Sequence, residues 1–227
     1  MKSLIVNIGL VVLIFSCTTK PQSTETEISR IGALRQIMHA GKIGSRVNLD
    51  TMDLTNAWGL GASDSLQGEL LVLNGNVFES KVTDRATAIS NNRKAEATLL
   101  VLSKVQAWDT VQVSSFDQVE TLLVENGYNS PAPFVLLGSP ELLEYHIINF
   151  NPKVSDISNH EEGAYLDVIS NSPVTILGFY SKTDQGVFTH HDSNVHMHFI
   201  DDTKQQAGHI EKLVPGSNSF QLLIPKK

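Results

Sequence analysis

The stretch Val195-His196-Met197-His198-Phe199-Ile200, followed by Asp201-Asp202-Thr203-Lys204 and then by Ala207-Gly208-His209, decides how the rest of the chain is read. Side chains two apart on a β-strand share a face, so His196 and His198 point one way and Val195, Met197 and Phe199 the other. The residues from Asp201 to Lys204 are turn formers. A strand returning antiparallel through Gly208 brings His209 beside the first pair. Three neutral imidazoles converging on one point suit zinc or another first-row divalent ion. Three protein ligands leave coordination positions open, as a catalytic metal requires. The same pattern is also that of surface histidines on a hairpin, or of a histidine-rich loop that binds metal adventitiously. His190 and His191 lie just upstream, and in an extended chain only one of them can join the set.

Outward from this hairpin, the second half of the chain reads as strands. They are Pro133 to Leu137, Tyr145 to Phe150, Val174 to Tyr180, Gly208 to Leu213 and Phe220 to Ile224. The first half is mixed. Apolar spacing over Ile28 to Met38 predicts a short amphipathic helix, and Thr51 to Ala57 a second one. Glu69 to Asn74 reads as a strand, Gly75-Asn76 as a turn, and Val77 to Val82 as the returning strand. Ala97 to Gln106 reads as a buried strand. Phe116 to Glu125 reads as a helix closed by Asn126-Gly127. The fold class is therefore α+β, strand-dominated toward the C-terminus. The softest boundary lies around Ser155 to Gly163, dividing an N-terminal lobe of about 28–155 from a C-terminal lobe of about 156–227.

The first residues carry a different message. Lys2 precedes an almost wholly apolar run from Leu4 to Phe15, too short to span a bilayer comfortably, so residues 1–16 read as a signal peptide. Ile14-Phe15-Ser16-Cys17 resembles a bacterial lipobox, which implies lipidation at Cys17, and polar residues 17–27 then form the lipidated cysteine and its tether. A plain signal peptide with an incidental cysteine is the alternative. Cys17 is the sole cysteine of the 227 residues, which excludes an intramolecular disulfide, a catalytic thiolate and a thiolate metal site. The expected location is the exported side of a membrane, held by the lipid alone. Loss of Lys2 with the signal takes the formal charge from −7 to −8. With no basic stripe, an acidic domain of this kind is not a nucleic-acid binder.

Two separated motifs point to a family. His196-Met197-His198-Phe199-Ile200-Asp201-Asp202 with Gly208-His209 resembles the acetolactate decarboxylase pattern HLHF[IL]xDD followed by GGH. Trp58-Gly59-Leu60-Gly61, Leu66-Gln67-Gly68-Glu69-Leu70 and Leu73-Asn74-Gly75 resemble that family's GLG, LDGE and DG segment, in the same order. The resemblance covers most of the chain beyond the leader. It implies two β-rich lobes with a metal site between them, and zinc held by His196, His198 and His209. It implies a carbon–carbon lyase that converts 2-acetolactate, a 2-hydroxy-3-oxo acid, to acetoin. Losing carbon dioxide leaves negative charge that spreads onto the neighbouring ketone oxygen, and a divalent ion stabilises such charge. A proton must then be delivered to one face, and by resemblance Glu69 is the functional acid. Without the resemblance, the pattern favours reading Glu69 as a solvated glutamate at the start of a hairpin strand.

The sequence departs from the family at several points. Gln67 and Asn74 stand where the family has aspartates, both at expected turns. The strand that should carry a carboxylate-binding arginine aligns with Glu144-Tyr145-His146-Ile147-Ile148, so His146 takes that position, without an arginine's bidentate fork. No arginine follows Arg93, and Lys182 is the other cation considered for the role. The family's C-terminal tail, with a second functional glutamate, has no counterpart before Lys227. Three readings follow. One is an acetolactate decarboxylase, weak or otherwise, using His146 or Lys182. Another is a non-catalytic or repurposed zinc-binding lipoprotein on the same fold. The third is an enzyme acting on another 2-hydroxy-3-oxo acid.

Overall fold

The computed structural model describes residues 27–83, 87–128, 131–216 and 220–226. The signal segment, Cys17 and all but the last residue of the tether lie outside the described residues. Among those described, no helix is long and apolar enough to cross a membrane.

Two antiparallel sheets account for most of the chain. The first contains β1 (Ile28–Ile31), β2 (Val47–Asn48), β3 (Ala57–Ser63), β4 (Glu69–Leu73), β5 (Asn76–Val82), β6 (Thr87–Asn91) and β7 (Glu96–Lys104). Its order is β1-β7-β3-β4-β5-β6, with β2 also on β7. The second contains β8 (Trp108–Val113), β9 (Ala132–Gly138), β10 (Leu142–Ile147), β11 (Tyr165–Ile169), β12 (Val174–Tyr180), β13 (Val195–Asp201), β14 (Ala207–Val214) and β15 (Phe220–Pro225). Its order is β11-β10-β14-β13-β12-β9-β15-β8. Two short α-helices complete the α+β fold, α1 (Leu34–Ala40) and α2 (Asp117–Glu125). Alternation in the strands sends side chains to two cores. Leu70 and Val72 of β4 face away from the second sheet, in a cluster with Leu100 and Leu102. Leu71 packs the other way, with Leu60 and Val101, against Leu177, Phe179 and Ile200 of the second sheet. Glu69, two residues before Leu71, therefore also faces the second sheet.

Several elements differ from expectation. Ile28–Ile31 is a strand paired with β7, and the helix starts only at Leu34. Gly32, at φ 75°, breaks the chain between them. The helix expected from Thr51 to Ala57 is a single 3₁₀ turn, Leu49–Thr51. Beyond it the Asp53 carboxylate accepts the Thr55 N–H, a local turn that competes with helix, and β3 starts at Ala57. The hairpin turn is Asn74-Gly75, one residue earlier than read, with Asn74 at φ 48°. The strand expected at Tyr145 to Phe150 runs from Leu142 to Ile147. The change of sheet comes between Lys104 and Trp108, not near residue 155. Residues 155–163 are instead the connection from β10 to β11 within the second sheet. The signals read as a boundary there were those of a surface loop.

Candidate metal centre

The register of the second sheet builds the centre. His146 on β10 is opposite His209 on β14, and His209 is opposite His198 on β13. Cross-strand partners share a face, so these three imidazoles form one row, and His196 follows two residues from His198. Gly208 lets the row close up. A Cβ there would come within 2.5 Å of the His146 carbonyl oxygen and 2.7 Å of the Tyr145 ring. The β13–β14 turn is held by Asp201, whose carboxylate accepts the backbone N–H groups of Thr203, Gln205 and Gln206 and the Thr203 hydroxyl. Burial disfavours the Asp201 charge, but these hydrogen bonds outweigh it and hold the carboxyl below its usual range. The first aspartate of the family-like motif is thus a turn clamp.

His196, His198 and His209 meet as expected, with one ligand atom of each within 4.8 Å of the others. His196 Nε2 lies 3.1 Å from His198 Nε2 and 3.0 Å from His209 Nδ1. His198 Nδ1–H donates to the Leu70 carbonyl across the sheet interface at 3.0 Å, which leaves the Nε2 lone pair for the centre. All three are buried, and burial first, then their mutual repulsion, pushes each well below the ordinary imidazole pKa. Three neutral nitrogens held this close in a buried site fit a divalent ion.

Glu69 enters from the first sheet. Its Oε1 accepts the Ile148 N–H at 3.0 Å, and its Oε2 is 3.5 Å from His198 Nε2. Its side chain is only 6% exposed and lies beside His198. His146 completes the corner. Its Nε2 lies 3.5 Å from Glu69 Oε1 and its Nδ1 2.6 Å from Glu211 Oε1. Burial opposes the imidazolium, yet Glu211 and Glu69 outweigh that and push His146 up to about 10. The environment thus favours the neutral form of His196, His198 and His209 and the charged form of His146.

A cavity of about 60 Å³ opens onto Glu69, His146, His196 and His209. Leu34, Ile37 and Met38 of α1, with Leu66, Leu99 and Ile148, form its apolar wall. The N-terminus of α1 is docked to the β12–β13 loop, because Leu34 N–H and Arg35 N–H donate to the Val187 and Gly186 carbonyls. No lysine or arginine among the described residues lines the cavity. Lys182 pairs with Glu120 at 2.8 Å and is not brought to the site, which removes it as the carboxylate binder. His190 lines the cavity and His191 does not, and neither belongs to the group of His196, His198 and His209. Gln67 and Asn74, where two family carboxylates are neutral, are both exposed, away from the cavity lining.

Glu211 was not foreseen. The pairing of β10 with β14 slips between Glu144 and Tyr145, so Glu211 is an extra residue of a β-bulge between Ile210 and Lys212. Alternation from His209 puts Glu211 on the same face of β14, but the partner it meets there, His146, is set by long-range register that the sequence does not show.

With this geometry in place, the comparisons have a clear meaning. The family described as alpha-acetolactate decarboxylase matches residues 28–224. The chain belongs to this family. Among solved structures, the alpha-acetolactate decarboxylase of Bacillus subtilis strain 168 superposes with a TM-score of 0.72 at 16% identity, over 88% of this chain and 86% of that one. A Staphylococcus aureus protein of unknown function, described as similar to alpha-acetolactate decarboxylase, superposes with a TM-score of 0.69 at 16% identity, over 87% and 84%. At these identities the likeness establishes the shared fold. A comparison with curated proteins gave no match.

Proposed function

We propose that the protein is a zinc-dependent acetolactate decarboxylase that converts 2-acetolactate and a proton to acetoin and carbon dioxide. The observation that carries this reading is the convergence of three buried histidines, His196, His198 and His209, beside Glu69, with His196, His209 and Glu69 lining one cavity, in a member of this family. His196, His198 and His209 would hold the zinc. When bound there, zinc supplies a Lewis acid for the charge that develops on the ketone oxygen as carbon dioxide leaves.

The chain's own groups supply the rest. Glu69 has one oxygen tied to the Ile148 N–H and the other turned to the cluster, so its Oε2 is placed to hold a proton and deliver it to the substrate carbon. His146 supplies positive charge for the substrate carboxylate where the family resemblance implies arginine. It does so between two carboxylates, so its grip on an anion is weaker than an unopposed guanidinium's. The apolar wall formed by α1, Leu66, Leu99 and Ile148 limits water around the reacting carbon.

The reading is tested by incubating racemic acetolactate with zinc-loaded and chelator-treated protein. Acetoin should form only with the zinc-loaded form, from one enantiomer. Stoichiometric zinc without acetoin would remove the decarboxylase and leave a repurposed zinc-binding protein. We also propose export and lipid anchoring through Cys17. Expression of Cys17→Ser should move the protein from the membrane fraction to the soluble fraction.

A further inference from the structure

Glu211 sits beside the centre without belonging to the metal set or to the cavity lining. Its side chain is 45% exposed, whereas that of its partner His146 is 10% exposed. The β14 bulge brings its Oε1 to 2.6 Å from His146 Nδ1, while the same oxygen stays 4.0 Å from His209 Nε2. An imidazole can flip about its Cβ–Cγ bond, which puts Cδ2 where Nδ1 was and Cε1 where Nε2 was, so a histidine meeting a ligand needs an outer partner to fix its orientation. His146 has that partner in Glu211, and its other nitrogen then faces Glu69.

We infer that Glu211 is a positioning residue: by accepting the Nδ1–H of His146 it locks the ring with Nε2 turned toward Glu69 and the cavity, so that a hydrogen-bonded pair from β10 and β14 presents the anion-binding nitrogen. The inference rests on the reading of His146 as the group that meets the substrate carboxylate. It makes a counter-intuitive demand. Glu211 is negative, so if only its charge mattered, removing it would tighten the binding of an anion. Positioning predicts the opposite.

The test uses zinc-loaded protein and 2-hydroxy-2-methylpropanoate, which carries the hydroxyl and carboxylate of the substrate but no ketone. Proton NMR should show a downfield, slowly exchanging Nδ1 proton of His146 in the wild type. It should persist in Glu211→Gln, whose amide oxygen can still accept, and vanish in Glu211→Leu. Calorimetry should show hydroxy-acid binding weakened about tenfold in Glu211→Leu, as for loss of one hydrogen bond to a charged group. Binding should be partly restored in Glu211→Gln, with zinc content unchanged in both. Adding Glu211→Leu to His146→Leu should leave hydroxy-acid binding unchanged, because the second residue acts through the first. Retention of the Nδ1 proton signal in Glu211→Leu, equal or tighter binding by that variant, or additive losses in the double variant would each overturn the inference. Failure of the wild type to bind the hydroxy acid would instead defeat the assigned role of His146, and the proton signal alone would still decide whether Glu211 positions the ring.

Discussion

Two corners of the same site solve opposite electrostatic problems. The corner of His196, His198 and His209 must keep imidazoles neutral so that their lone pairs can bind a cation. Burial does this directly, and the repulsion among the three helps. On the proposed reading, the corner of His146 must present positive charge to an anion, and burial works against it. Two carboxylates, Glu69 and Glu211, hold the proton on the ring. The remedy has a cost of its own, because both lie within 3.5 Å of a His146 nitrogen and repel the anion it should attract. The metal corner is therefore self-consistent, and the anion corner is a compromise.

The largest effect expected separates the corners outright. His198→Ala removes a proposed ligand whose other nitrogen is tied to the Leu70 carbonyl. Metal affinity should fall by more than the roughly 10–100-fold that loss of an outer partner costs. Elemental analysis after dialysis should show much less than one zinc per chain, with acetoin formation lost in parallel. Full zinc retention would mean that His146 belongs to the metal set, and the two-corner division would collapse.

Glu69→Gln should follow. It keeps the shape and the acceptor for the Ile148 N–H but removes the transferable proton. A fall in kcat of about 10²–10⁴-fold at unchanged zinc content is expected, measured as acetoin produced under saturating acetolactate. An unchanged kcat would transfer the proton step to another group. A smaller effect is expected from His146→Arg, which restores a guanidinium at the compromised corner. KM should fall by about tenfold with kcat little altered, the difference between a single and a bidentate charge-assisted pair. A KM that rises would show that Glu69 and Glu211 accommodate an imidazole and not a guanidinium.

Legibility in the sequence followed the same division. The metal corner lies on one hairpin, where period-two alternation places His196 and His198 and the Asp201 turn returns His209, so local pattern sufficed. Glu69 was recoverable only through the family-like segment, because nothing local distinguishes a glutamate facing a partner sheet from one facing water. The anion corner depends on long-range register. His146 meets His209 across β10 and β14, and Glu211 meets His146 through the same register. The missed strands β6 and β8 are terminal in their sheets, where polar residues interrupt the apolar alternation that marks central strands; β11, also terminal, carries apolar residues on both faces, with Leu166 and Val168 exposed. The missed central strand β3 is broken in appearance by Gly59 and Gly61. The sheet boundary was placed in a polar loop, when the real transition at Lys104 to Trp108 is a short connection between two strands.

The smallest expected effect concerns what keeps the metal corner assembled. Asp201 lies 8% exposed and ties Thr203, Gln205 and Gln206 to the end of β13. Its folded-state pKa is below its unfolded value of about 3.9, so its ionised form contributes stability that is complete above that value. The contribution disappears as pH falls through the lower folded pKa. Asp201→Asn should cost about 1–3 kcal/mol at neutral pH, as for hydrogen bonds to a charged acceptor. For a chain of this size each kcal/mol lowers Tm by about 2–4 °C. The Tm difference between wild type and variant should then shrink on acidification below about pH 4. Measured on metal-free protein by thermal melts across this range, a constant difference would mean that the turn is held by shape and not by the carboxylate charge. The metal corner would then owe its geometry to the β10–β14–β13 register alone, which is also what sets the anion corner.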